Sequence, residues 1–460
     1  MFAIKALNYR VYLCFAIFST IRCDIGYQVQ NYEENKKDYK DYLFSRCYID
    51  IWNTGQMKAD DLPSIFAIVQ KGPDTEPGYF LPQFKTSDRI LQIEFKHKEK
   101  LIIICHKGGV NYDDKKIECS NGKKVPDIDT IKECKESAAK PSLRDSETSC
   151  GDSTENKLFE IGYKVFPMYS TEQYVIEDEN IMTNLFFPFI NVCLDPIRRV
   201  TSYTSHMIDG KTIAGRQILS FIPEDFSMEG YHVIHKAFKT DADEVRDLKK
   251  TYRPQKQFHY LYTLFREKLR DYFDNEDYNF VPRQLTPDYD MLLKNWKSLT
   301  HYFINTAPQW KILACTWDAL EDLIRERASQ RNYEVRIYTG TYGILTLSDI
   351  EVFISPEKLS VPKYFWKIVL HRREEDYAAI GFVTSNNPYD NEKTPFCESI
   401  CRQKLWPIDV KTPGLGKTVC CPVSDMLRKM NFRIPIKKID SKSGRFTDLR
   451  RVKNVLVMPP

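Results

Sequence analysis

The stretch FVPRQLTPDYD, residues 280–290, is followed by HYFINTAPQWK at 301–311 and TWDALEDLIRERA at 316–328. In the last of these, Trp317, Leu320, Leu323 and Ile324 fall on one helical face, Thr316 is placed to cap the N-terminus, and Glu321 and Arg325 stand at an i, i+4 spacing. Upstream, QFHYLYTLFREKLRDYF at 257–273 repeats Phe258, Leu261, Leu264, Phe265 and Leu269 at helical intervals, with basic residues between them. Downstream, YEVRIYTG and YFWKIVLH read as strands. Strands and helices therefore mix from Leu158 onward, and the predicted fold class is α+β.

The chain has 460 residues, enough for two globular units or one large unit with an added module, and its 42% hydrophobic and 28% charged residues exclude dominant disorder. Residues 1–23 read as a secretory signal: Lys5 and Arg10 precede the apolar run VYLCFAIF, which is too short to span a bilayer. From 24 to 136, short apolar or alternating runs such as RILQIEF and LIIIC, parted by turn signals, predict a small β-rich module containing cysteines. Residues 137–157 lie in a serine-rich stretch almost free of large apolar side chains and read as a solvated linker. Residues 158–460 then form the main domain, ending in a basic tail.

Cysteine usage agrees with export. Cys47, Cys105, Cys119, Cys134 and Cys150 cluster early, and Cys397, Cys401, Cys420 and Cys421 late, which predicts two locally closed disulfide sets. Beyond the signal an odd number of cysteines remains, which implies at least one free thiol or an intermolecular link.

Charge is uneven. The formal net charge is +4, yet Arg428–Lys453 alone carries ten Lys and Arg side chains against Asp440 and Asp448. A second basic stretch, RDLKKTYRPQKQFHYLYTLFREKLR at 246–270, interleaves cations with Tyr and Phe. That pattern suits phosphate contacts with base stacking, and also suits an ordinary solvated face.

RQLTPDYDM, YFINTAPQW and WDALEDLIR, in this order and spacing, resemble the DNA/RNA non-specific endonuclease family, the metal-dependent ββα nucleases. The resemblance is greatest to the secreted arthropod branch, with gut and salivary nucleases that act on double-stranded RNA and DNA. TSYTSHMIDG upstream and VPKYFWKIV, CESIC and VCC downstream extend it from about 160 to 455. It implies a ββα-metal nuclease-like domain with antiparallel or mixed sheets, preceded by a β-rich N-terminal domain.

Phosphodiester hydrolysis needs a base for the attacking water, a metal ion and cations for the developing charge. In the family's Arg-Gly-His-Leu-x-Pro motif the histidine is the base. The same register here reads Pro282, Arg283, Gln284, Leu285, Thr286, Pro287, and the carboxamide of Gln284 takes up no proton. The family's metal-ligating asparagine falls on Ala314 or Leu313, depending on the direction of counting, and neither coordinates a hard cation such as Mg or Mn. Asn305, Glu321 and Arg325 match family positions around the site. Glu321 and Arg325 also fit an ordinary helix-surface ion pair.

Arg283 and Arg325, with His206 from the upstream segment, form the expected phosphate-binding set. His301, in the strand-like LTHYFIN, reads as a packed or edge histidine. The resemblance thus implies a secreted nuclease-fold protein that binds DNA and RNA, double-stranded included, without sequence preference and hydrolyses them weakly or not at all. The alternatives are an active Mg- or Mn-dependent endonuclease, and a salivary or gut protein that binds another polyanion or a host protein. No membrane partner is expected.

Overall fold

The computed structural model describes residues 46–457 with interruptions, the longest at 126–138, 166–184 and 215–251; the signal expected at 1–23 lies outside the described residues. Its centre is a nine-stranded sheet. From one edge to the other, eight of its strands run Thr418–Cys421, Tyr377–Ser385, Pro362–Arg372, Glu334–Ile344, Val200–Asp209, Leu185–Asp195, Lys157–Val165 and Ala139–Ser149, each antiparallel to its neighbour. The ninth, Val455–Val457, pairs in parallel with Tyr377–Ser385.

The Pro362–Arg372 strand explains why the sheet can be covered on both sides. Alternate side chains of a strand point to opposite faces. Tyr364, Trp366, Ile368 and Leu370 join a core with Val423, Met426, Leu427 and Met430 of the Val423–Met430 helix. Phe365 and Val369 join a second core with Trp317, Leu320, Ile324 and Ala328 of the Ala314–Arg331 helix. Lys367 lies on this second face, in phase with Phe365 and Val369, and is buried.

Strand Phe280–Gln284 pairs antiparallel with Thr306–Trp310, and the chain then enters the Ala314–Arg331 helix, completing a strand–strand–helix unit. A third core of Leu261, Phe265, Phe280, Trp310 and Leu313 fills the space behind the hairpin. Trp317, Leu320 and Ile324 are buried as their spacing predicts. Thr316 is not the N-cap. A 3-10 turn over Lys311–Leu313 runs directly into the helix, so the start moves to Ala314 and Thr316 falls in the first turn.

Two further expectations change. The serine-rich stretch holds an eleven-residue strand, Ala139–Ser149, at the edge of the large sheet. Edge strands expose one side, so polar side chains are compatible with pairing there. Arg144 reaches Glu160 on the neighbouring strand. The early cysteines change in one place: Cys47 pairs with Cys119 inside the set, Cys134 lies outside the described residues, and Cys150 leaves the set to pair with Cys193 of the Leu185–Asp195 strand. Cys397–Cys421 and Cys401–Cys420 form a local pair of bridges, and Cys315 is the reduced cysteine among the described residues.

Ahead of Ala139, strands build a three-stranded sheet, containing Arg46–Asn53, Gln83–Lys85 and Ile90–Lys96, and a five-stranded one that includes Ile65–Gln70 and Lys100–Cys105. Thr212 Oγ1 donates to Pro82 O at 2.6 Å, tying the three-stranded sheet to the segment after Val200–Asp209.

Candidate functional site

The turn that follows Gln284 is held chiefly by the Asn305 side chain. Asn305 Oδ1 accepts from Thr286 N at 2.8 Å, and Asn305 Nδ2 donates to Thr286 O at 2.8 Å and Thr300 O at 2.7 Å. The backbone adds Leu285 N to Asn305 O at 2.8 Å. Asn305 is fully buried, so its place is to hold the loop, and it meets no solvent.

Gln284 is also fastened. Its Nε2 donates to Thr300 Oγ1 at 3.0 Å, and its Oε1 accepts from Asp288 N at 3.2 Å. His301 Nδ1 lies 3.4 Å from the same Nε2. His301 follows a 3-10 turn over Ser298–Thr300 and is half-buried, so it belongs to no strand.

Behind this turn lies a buried charge network. His206 Nε2 is 2.7 Å from Asp290 Oδ2, and His206 Nδ1 is 3.1 Å from Thr286 Oγ1. Thr286 Oγ1 is in turn 3.0 Å from Thr204 Oγ1. The second oxygen of Asp290 accepts from Arg325 Nη1 at 2.6 Å, and Arg325 Nη2 reaches Asp322 Oδ1 at 2.6 Å. Glu321 meets two cations, Arg283 Nη2 at 2.7 Å and Lys367 Nζ at 3.3 Å. Arg283 also pairs with Asp318 at 2.6 Å, and Lys367 donates to Thr339 Oγ1 at 2.7 Å beneath the Trp317 ring.

Burial and pairing set the ionisation. Burial holds the His206 imidazole below its usual range, against the pull of Asp290. A neutral imidazole facing a carboxylate carries its proton on Nε2, leaving Nδ1 to accept from the Thr286 hydroxyl. Burial pushes Asp290 upward, but Arg325 and then His206 outweigh it and keep the carboxyl well below the usual carboxylate range. Lys367 is pushed down by burial, with Glu321 and Asp290 opposing. For Arg325, burial opposes and the Asp290 carboxylate prevails, so the guanidinium stays charged.

These contacts decide what the residues singled out by sequence can do. Arg283, Arg325 and His206 turn inward onto carboxylates or hydroxyls, and an incoming phosphate would have to displace Asp318, Glu321 or Asp290. Glu321 and Arg325 are not a helix-surface pair; both are buried and each takes a different partner. Sequence reasoning missed Lys367, Asp290, Asp318 and Asp322. A lysine inside the apolar run YFWKIVLH was the available signal, because a buried ammonium requires a carboxylate nearby.

The magnesium or manganese ion of the ββα nucleases does not fit this donor set. Leu313 is buried in an apolar core and Ala314 carries no donor. The carboxylate at 321 already faces Arg283 and Lys367, and a hard cation needs several oxygen ligands. Among the described residues, no group of three His, Cys, Asp or Glu side chains is placed to hold a metal.

A strand–strand–helix unit packed with its charged residues against a large antiparallel sheet defines an α+β nuclease domain. The pattern of the DNA/RNA non-specific endonuclease family matches residues 170–406, and the chain belongs to that family. It is 26% identical over 317 residues to a salivary endonuclease of Lutzomyia longipalpis, covering 65% of this chain and 66% of that protein. It is 29% identical over 272 residues to salivary protein Tsal1 of Glossina morsitans morsitans, covering 55% and 63%. To salivary protein Tsal2A of the same fly it is 26% identical over 408 residues, covering 83% and 90%. The chain thus spans about two thirds of the length of the first two relatives.

Proposed function

We propose that this chain is an exported nuclease-fold protein that binds DNA and RNA largely without sequence preference and has weak or no phosphodiester hydrolysis. The observation that carries the reading is Gln284: the register of the family base holds a carboxamide, fastened at both ends to Thr300 and Asp288. The pairing of Glu321 with two cations supports it, because an ion there would have to compete with Arg283 and Lys367 for that carboxylate. Export is supported by the apolar run at residues 11–18, the disulfides and the salivary relatives. Among the described residues, no helix is long and apolar enough to cross a membrane.

Binding through phosphates releases counterions, so the expected affinity falls with salt, with a log–log slope of about −0.9 per phosphate contact on a duplex. The test incubates the purified chain with plasmid and double-stranded RNA in magnesium or manganese and then in EDTA, with binding measured in the same preparation. The expected result is salt-dependent binding that persists in EDTA, with intact nucleic acid. Rapid, EDTA-sensitive degradation would overturn the reading.

One contact favours a second reading. His301 Nδ1 lies beside Gln284 Nε2, so an imidazole stands next to the register of the missing base. On this reading slow hydrolysis persists with His301 receiving the proton. His301→Ala then lowers the residual rate by about 10²–10⁴-fold, the usual contribution of a general base, while binding is unchanged. Equal residual rates in the parent and the variant would remove it.

A further inference from the structure

The Pro254–Phe265 helix carries an exposed aromatic face that its own packing leaves unused. Leu261 and Phe265 turn into the core with Leu269. Contrary to its apolar spacing in the sequence, Phe258 is 50% exposed, and Tyr262, one turn later, is 55% exposed. Arg253, Lys256, Arg266 and Lys268 of the same segment are exposed, as is Glu267. Large exposed apolar side chains grouped in this way mark interaction surfaces.

The helix is rigidly mounted. Gln257 is buried, donates to Phe280 O at 2.7 Å and accepts from Phe280 N at 2.9 Å. Phe280 begins the strand that ends at Gln284, so the aromatic face is bolted to the strand of the site described above.

We propose that Phe258 and Tyr262 form a stacking platform for unpaired bases of a DNA or RNA strand, with Arg253, Lys256 and Arg266 holding the adjoining phosphates. The proposal deepens the nucleic-acid reading and rests on it. Four exposed cations in the same segment as two exposed rings match a polyanion with flat bases and disfavour a neutral apolar partner. Residues at i, i+4 stand about 5–6 Å apart on a helix. Bases in a duplex strand rise by only about 3.4 Å, so an extended, unpaired strand matches the spacing of the two rings better than a stacked duplex does.

The test measures fluorescence anisotropy of a labelled oligo-dT strand and of a labelled hairpin duplex with the full chain. Phe258→Ala with Tyr262→Ala is expected to weaken strand binding about tenfold or more per ring, with little change for the duplex. Phe258→Tyr with Tyr262→Phe keeps both rings and should retain the parent affinity. The thermal unfolding midpoint serves as the fold control and should not move, since both rings lie at the surface. Unchanged strand binding in the alanine variant, while the parent binds, would overturn this assignment alone, as would equal losses on strand and duplex. A parent that binds neither probe would overturn both this assignment and the reading beneath it.

Discussion

Asp290→Ala is expected to cost about 3–5 kcal/mol of folding stability, the usual penalty for leaving a buried charge without its partner. The carboxylate holds Arg325 at one oxygen and His206 at the other, and all three side chains are buried. Its loss strands a guanidinium that stays charged and leaves His206 Nε2 without an acceptor. Urea unfolding of parent and variant measures the effect; a difference below about 1 kcal/mol would mean that water or a rearranged Asp322 replaces the carboxylate, and the network is less closed than described.

The pH dependence has a defined sign. His206 is held below its unfolded value of about 6.5, so its contribution is present above that pH and is lost as pH falls through the folded value. Asp290 is likewise lowered, so its contribution is present above about pH 3.9 and disappears as pH falls further. Parent stability should therefore decline from about pH 6.5 downward, and His206→Asn should remove the upper part of that slope. A parent midpoint that stays flat between about pH 4 and pH 7 would contradict the burial of a neutral imidazole.

The second large effect concerns Glu321 and Lys367. Glu321→Leu leaves Lys367 buried beside an apolar side chain and should also cost about 3–5 kcal/mol. Lys367→Met in the same chain removes the orphaned ammonium, with Arg283 still paired to Asp318, and should return most of that loss, because well-packed apolar replacements of a buried ion pair are often neutral. The double-mutant cycle reads the coupling directly. Effects that add to within about 0.5 kcal/mol would show that Lys367 takes its stability from Thr339 and Trp317 and gains nothing from the carboxylate.

Much of the architecture was legible before any coordinates. The spacing of Trp317, Leu320 and Ile324 located the helix, and the apolar runs at 333–340 and 364–371 located two strands, because burial repeats with the period of the backbone. The start of that helix was misread because Thr316 has the chemistry of a cap, whereas the preceding 3-10 turn supplies the entry. The strand at Ala139–Ser149 was missed because composition reports burial, and an edge strand can pair through its backbone while staying polar.

The sequence by itself determined the family, the carboxamide at Gln284 and the lack of side-chain oxygen at Leu313 and Ala314. All three are statements about which atoms exist at a register. Only the tertiary structure decided what Arg283, Arg325, His206 and Glu321 do, since their partners Asp318, Asp290 and Lys367 come from different elements and meet only when the helix packs on the sheet. A cation reads the same in sequence whether it faces water or a buried carboxylate; the difference lies in desolvation, which folding sets.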